Sequence, residues 1–286
     1  MSSTGSGKAT RPLAVGRVGR SGIRAGRRIP FGSGPRLRLR RRRSERPGRI
    51  WRLLALAAAL ACAAAVVGAV SYARSMQPSL RALPSIVRVR LAREHSTWVP
   101  FDKIPTMLVN ATVATEDRSF WTNPGISFEG IVRAALVDLE HGAFLEGAST
   151  LQQQIVRDVF LSPRKTISRK VRGTILAVTL TRDFPRKTIF ALYVNEVYYG
   201  NGAYGLAKAA ESYFGTSPER LTPAQSTLLA GLPQAPSYLD PRRNPAAAKA
   251  RQTIVLESMV AAGYLTPRQA RTILRAPWDL TPPKAA

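Results

Sequence analysis

Leu53 to Val70 is an 18-residue run without a charge, LLALAAALACAAAVVGAV. As a helix rising about 1.5 Å per residue it spans roughly 27 Å, close to the hydrocarbon thickness of a bilayer. Trp51 and Tyr72 flank it, where interfacial aromatics belong. Two rivals compete with a membrane span. A buried Ala-rich core helix would read alike, and a cleaved signal peptide has an apolar stretch, normally of about 7–15 residues. The length of the run favours a retained signal anchor over residues 51–72, followed by a juxtamembrane segment, 73–94. Cys62 lies inside the run and reads as a small apolar residue.

The charge on either side of the run is lopsided. Residues 1–50 hold 14 Arg and one Lys against the single acid Glu45, out of a net +26 for the 286-residue chain. Such a Gly-, Ser-, Pro- and Arg-rich segment repels itself and buries no core, so it is expected to be a disordered basic tail. The positive-inside rule puts that tail in the cytoplasm and the rest beyond the cytoplasmic membrane, in a single pass. Phe31 is the one aromatic of the tail. With a membrane anchor directly behind it, anionic lipid is the expected partner and nucleic acid is not. One Cys and two His (His95, His141) exclude a disulfide framework and make a His-based metal site or a Ser-His-Asp triad unfavoured readings.

Beyond Ser79 the signals are mostly helical. Leu108, Ala111, Thr112 and Thr115 share a face, with Pro105 suited to the first turn. Phe128, Ile131, Val132, Ala135, Leu136 and Leu139 keep a 3.6 period. Leu151, Ile155 and Val159 do so behind Ser149 as N-cap, and Val171, Thr174, Ile175 and Val178 behind Ser168. Thr222-Pro223-Ala224-Gln225 and Thr266-Pro267-Arg268-Gln269 are capping boxes with Pro at the first helical position. Asn244-Pro245 opens a further helix that Gly263 closes. Ile86 to Leu91 alternates weakly and predicts a short strand. The expectation is a mainly α body, with one domain over 95–265 and a C-terminal helix and tail over 266–286.

Two groups of residues in this body could carry chemistry. Arg157, Arg164, Lys165, Arg169, Lys170 and Arg172 face only Asp158 in their stretch. A solvated helix face is the bland reading; beside a membrane anchor, a site for a diphosphate is the sharper one. Glu116-Asp117 is an adjacent acid pair. It is either a surface helix end or a base whose pKa its neighbour raises.

Glu116-Asp117-Arg118-Ser119-Phe120 followed by Gly125-Ile126 is similar to the first motif of the peptidoglycan glycosyltransferases. These are the lysozyme-like transglycosylase domains of class A penicillin-binding proteins and their monofunctional relatives. Gly147-Ala148-Ser149-Thr150-Leu151-Gln152-Gln153-Gln154 is similar to the second motif, and Arg169-Lys170 to the third. Tyr193-Val194-Asn195, Tyr198-Tyr199-Gly200, Ala209 to Gly215 and Leu229 to Ser237 follow in the family's order. The resemblance covers roughly residues 95–265. Ser162-Pro163-Arg164-Lys165 matches the S-x-x-K pattern of penicillin-reactive enzymes by coincidence, without its companion motifs. An end at Ala286 is expected to leave no room for a transpeptidase domain.

The resemblance implies a mainly α, lysozyme-like glycosyltransferase domain behind a single N-terminal transmembrane helix. It implies polymerisation of lipid II into β-1,4-linked strands with inversion, Glu116 being the general base. Asp117, Ser149, Thr150, Gln153, Gln154, Arg157, Lys165, Arg169, Lys170 and Arg172 are the implied substrate-binding residues. The implied partners are lipid II, the growing glycan, the cytoplasmic membrane and a transpeptidase or other cell-wall synthase. No resident metal is implied, although a divalent cation on the lipid diphosphate is compatible with it.

The chain departs from the family at several positions. Gly173 stands where the family carries a second carboxylate, Asn123 where it carries His, Ala191 where it carries Glu, Gln152 for Thr and Arg157 for Lys. These departures keep an alternative open: a catalytically impaired relative that binds lipid II or synthesis partners. A hydrolytic relative would need a second carboxylate, from Asp117, Glu129 or Glu146.

Overall fold

A computed structural model describes residues 48–127, 129–130, 149–164 and 166–282. The Arg-rich tail, the periodic stretch 131–139, Glu146 and Lys165 lie outside the described residues. The chain divides into two compact units, 1–53 and 54–286.

Helix α1, Arg49–Arg81, holds the one stretch among the described residues long and apolar enough to cross a membrane, Ile50–Gln77. Its most apolar window has a mean hydropathy of 2.6 and is wholly unburied. Trp51, Leu53, Leu54, Leu56, Leu60, Val66 and Val67 all stand exposed. In water such a surface would be a large unfavourable patch; in a bilayer it is the ordinary one. Towards its end α1 changes character. Tyr72 and Met76 pack against the core and Leu80 is fully buried.

Helix α2, Leu83–Arg93, occupies the stretch predicted as a strand. Leu83, Val87 and Leu91 are its buried residues, a spacing of four that lays them on one helical face. The alternation of Val and Arg was the weaker pattern, and Pro84 in the first turn suits a helix start. Among the described residues the only β feature is an isolated bridge between Tyr198 and Tyr204.

Nine helices follow α1 within the described residues: α2, then α3 (Thr106–Glu116), α4 (Leu151–Phe160), α5 (Ile167–Asp183), α6 (Arg186–Glu196), α7 (Leu206–Phe214), α8 (Pro223–Gly231), α9 (Pro245–Ala261) and α10 (Pro267–Arg275). The boxes at Thr222 and Thr266 both form, with each Thr accepting from the Gln backbone N–H three residues on. Asn244 caps α9, and Gly263 beyond its end has φ +76°. Two caps differ from expectation. Thr150, not Ser149, caps α4, and Thr166, not Ser168, caps α5. Pro105 is the residue before the first turn of α3. The buried face of α5 is Gly173, Leu176, Ala177, Thr179 and Leu180, while Val171 and Val178 are exposed. The two valines had set the predicted stripe about one residue out of phase.

Helix α6 is buried from Ile189 to Glu196 without interruption, and α2, α4, α5 and α7 pack around it. A helix buried all round must satisfy its polar side chains within the protein. Asn195 does so by acting on Val99. Its Oδ1 accepts from the Val99 N–H at 2.9 Å, and its Nδ2 donates to the Val99 carbonyl at 2.8 Å and the Ala191 carbonyl at 2.7 Å. This ties the segment before α3 to the centre of the body. A second cluster joins α3, α8 and α9 through Ala111, Ala114, Ala230, Val255, Leu256 and Met259. The alanines let the three helices approach closely, which fixes where the end of α3 points.

Candidate functional site

Glu116 is the last helical residue of α3. A carboxylate there meets the negative end of the helix dipole and needs compensation. Two side chains hold it, of which only the second carries a charge. Gln154 of α4 donates from Nε2 to Oε2 at 3.0 Å, and Arg251 of α9 donates from Nη2 to Oε1 at 3.2 Å. The Glu116 side chain is 15 % exposed and that of Arg251 11 %.

Asp117 turns the other way. It is 4 % exposed and accepts from Asn123 Nδ2 on both oxygens, at 2.9 and 3.1 Å. The Ser119 hydroxyl donates to it at 3.1 Å and the Leu151 N–H at 3.2 Å. Burial pushes its pKa up; the bonds from Asn123, Leu151 and Ser119, and the charge of Arg186, oppose that shift. The adjacent acids therefore do not form a carboxylate couple. Asp117 organises the turn after α3 and the start of α4.

Asn123 and Gln152, two of the departures noted above, touch each other. Gln152 Nε2 donates to Asn123 Oδ1 at 3.3 Å, and the same oxygen accepts from the Gly125 N–H at 2.9 Å. Gly125 has φ +101°, and a Cβ there would lie 2.6 Å from the carbonyl oxygen of Ala177. Only glycine lets this turn lie against α5. Thr150 completes the frame by donating to the Gly125 carbonyl at 2.9 Å. Gln153 closes the capping box and donates to Thr174 Oγ1 at 3.2 Å.

Two neighbouring clefts border this frame. The larger, about 670 Å³, is lined by Gln154, Arg157, Asp158, Arg169, Glu196 and Tyr198 among others. The smaller, about 430 Å³, is lined by Ser149, Gln153, Arg157, Arg169, Lys170 and Gly173 among others. Arg157 and Arg169 belong to both walls. The structure thus brings together Ser149, Gln153, Gln154, Arg157, Arg169 and Lys170. Arg172 lines neither cleft; its guanidinium lies 5.8 Å from the Tyr72 ring centroid. Arg157 also pairs with Asp158, at 2.7 Å. At Gly173 an added Cβ would come within 3.1 Å of Leu161 Cδ1 and nothing else.

Sequence reasoning missed three residues here. Arg251 lies 135 positions from Glu116. In so basic a chain nothing local marks it. Arg90 and Glu196 form an ion pair on the wall of the larger cleft, from α2 and α6. Their meeting depends on α2 being a helix, and the strand expectation hid it.

Residues 84–260 match the family model described as Transglycosylase. The chain belongs to the transglycosylase family. Every described residue of the site lies inside that match. Penicillin-binding protein 1A of Aquifex aeolicus is 42 % identical over 180 residues, covering 63 % of this chain and 25 % of that protein. Its Escherichia coli counterpart is 41 % identical over 171 residues, covering 60 % and 20 %. A Cupriavidus necator protein, named provisionally as a transglycosylase, is 38 % identical over 203 residues, covering 71 % and 87 %. The transglycosylase chain thus spans about a quarter of the length of the penicillin-binding proteins it matches.

Proposed function

We propose that this transglycosylase is a membrane-anchored peptidoglycan glycosyltransferase that polymerises lipid II. The single observation that carries this reading is the bond from Gln154 to Glu116. It puts a carboxylate beside a side chain that also walls a cleft carrying Arg157 and Arg169. Family membership supports the reaction class, and the apolar α1 supports the anchor. The tail is cytoplasmic and the catalytic body extracytoplasmic, on the charge asymmetry argued above.

The chemistry follows from those groups. The 4-hydroxyl of an acceptor sugar attacks the anomeric carbon of the donor chain. Glu116 takes the hydroxyl proton as the new C–O bond forms. The bond from that carbon to the diphosphate breaks, and its electron pair leaves on the diphosphate. Attack opposite the departing group inverts the configuration and gives a β-1,4 link. A general base of this kind contributes about 10²–10⁴-fold. The diphosphate is already stable as an anion, so it needs cations more than a proton donor. Arg157, Arg169 and Lys170 supply them through charge-assisted hydrogen bonds. On this reading the second family carboxylate, absent at Gly173, is dispensable. Ser149 and Gln153 line the approach, and Asp117 and Thr150 hold the frame. A divalent cation on the diphosphate would arrive with the substrate.

Gly173 also favours a second reading, in which the site binds lipid II without turnover. A polymerisation assay separates the two. Glycan strands from the unaltered protein, lost in Glu116→Gln, support the first. A folded protein that binds lipid II and makes no polymer supports the second, above all if Gly173→Glu restores synthesis.

A further inference from the structure

We infer that Arg251 is the positioning residue that holds Glu116 in its working geometry, and that Gly231 is the space that lets it do so. The inference rests on the reading of Glu116 as the base. Glu116 ends α3 against the helix dipole and is mostly shielded from water. Gln154 is neutral and cannot offset the charge. Among the described residues Arg251 is the one cation in salt-bridge contact with Glu116.

Arg251 is itself held in two ways. Its Nε donates to the Gly231 carbonyl at 3.2 Å while its Nη2 reaches Glu116. Its stem crosses Gly231 so closely that a Cβ there would lie 2.9 Å from Arg251 Cγ. The Cγ is mid-chain and cannot swing aside without moving the guanidinium. Gly231 has φ −84° and ψ −25°, a backbone that alanine adopts freely. Its absent side chain therefore makes room first of all for the arginine and is not required by the backbone of the turn; Val255 Cγ2, 3.3 Å from such a Cβ, would have to give by only a few tenths of an ångström. The arrangement occupies Oε1 from the α9 side and leaves Oε2 to Gln154, which walls the larger cleft. A lysine at 251 would keep the charge and lose the two-point hold.

The test uses the full chain in detergent, with initial rates of polymerisation from lipid II and a thermal unfolding curve for each variant. Arg251→Ala is expected to lower kcat by about 10- to 100-fold, with KM within about twofold. Millimolar guanidinium should restore part of that loss, and isosteric urea should not. Arg251→Lys should fall between the two. Gly231→Ala, which keeps every charge, should also lower kcat, and should subtract nothing further in the Arg251→Ala background. Unchanged kcat in Arg251→Ala overturns the inference. So does a Gly231→Ala effect that persists without the arginine. If Arg251→Ala does not fold, Gly231→Ala and Arg251→Lys decide: normal kcat in both overturns it, and a selective kcat loss supports it. An unaltered protein inert towards lipid II would instead sink the glycosyltransferase reading, and this inference with it.

Discussion

Replacing Asn195 by alanine tests whether a motif residue is structural or chemical. Asn195 belongs to the Tyr-x-Asn segment, yet its side chain is 1 % exposed and makes three hydrogen bonds to backbone. Truncation removes all three. It also leaves the N–H and C=O of the buried Val99 without their partner. The Ala191 carbonyl keeps its helical bond from α6. Each lost bond is worth about 1 kcal/mol, and each orphaned buried group costs about 1–3 kcal/mol before water relieves part of it. The sum is about 5–9 kcal/mol with the orphaned groups left dry, and about 3–5 kcal/mol once water relieves most of their cost, the latter being roughly 10 °C in the melting temperature of a body this size. The assay is thermal unfolding by circular dichroism, with polymerisation measured per folded molecule. Asn195→Ala should lose stability and keep its specific activity. Stability within about 1 kcal/mol of the unaltered protein would refute the accounting. A specific loss of activity with stability intact would place Asn195 in the chemistry instead.

Other substitutions probe the frame around the site. Thr150→Ala removes an N-cap and the bond to the Gly125 carbonyl, and should cost about 1–2 kcal/mol by denaturant melts. The two glycines facing α4 and α5 should behave oppositely. Gly125→Ala drives a Cβ into the Ala177 carbonyl at positive φ and should abolish the soluble fold or cost more than about 3 kcal/mol, whereas Gly173→Ala meets only the tip of half-buried Leu161 and should gain up to about 1 kcal/mol from helix propensity. Expression and melting of the pair check this. Burial raises the pKa of Asp117, so the native state holds that proton more tightly than the unfolded one. Its contribution is full below the ordinary carboxylate range and declines as pH rises through the raised native value. Asp117→Asn removes that slope, and the stability gap between unaltered protein and variant should shrink from pH 4 to pH 7. A gap independent of pH would refute it.

Much of the helical outline was legible because it is local. Capping boxes at Thr222 and Thr266 and the cap at Asn244 depend on residues three or four apart, and all three form. Local patterns also misled where two periods competed. At residues 83–93 an alternation of Val and Arg hid a four-residue spacing. On α5 the stripe through Val171 and Val178 predicted the inward face, yet both valines stand exposed and Leu176, Ala177 and Leu180 are buried instead. The cations were found as a run, but a run does not say which members point together. Arg157, Arg169 and Lys170 line the clefts, while Arg172 turns to Tyr72.

The apolar run, the basic tail and the ordered motifs were properties of contiguous residues, and one dimension suffices to state them. They established a helix fit for a membrane and most, though not all, of the residues from which the site is built. The division of labour between Glu116 and Asp117 is of another kind. One acid faces Gln154 and Arg251, and the other is buried among Asn123, Ser119 and Leu151. Adjacent residues at a helix end diverge by the turn of the backbone, and what each then meets is set by α4 and α9, helices that begin some 35 and 130 residues further along. Charge, burial and partner at a site are properties of the packed chain, because the groups that determine them come from distant parts of it.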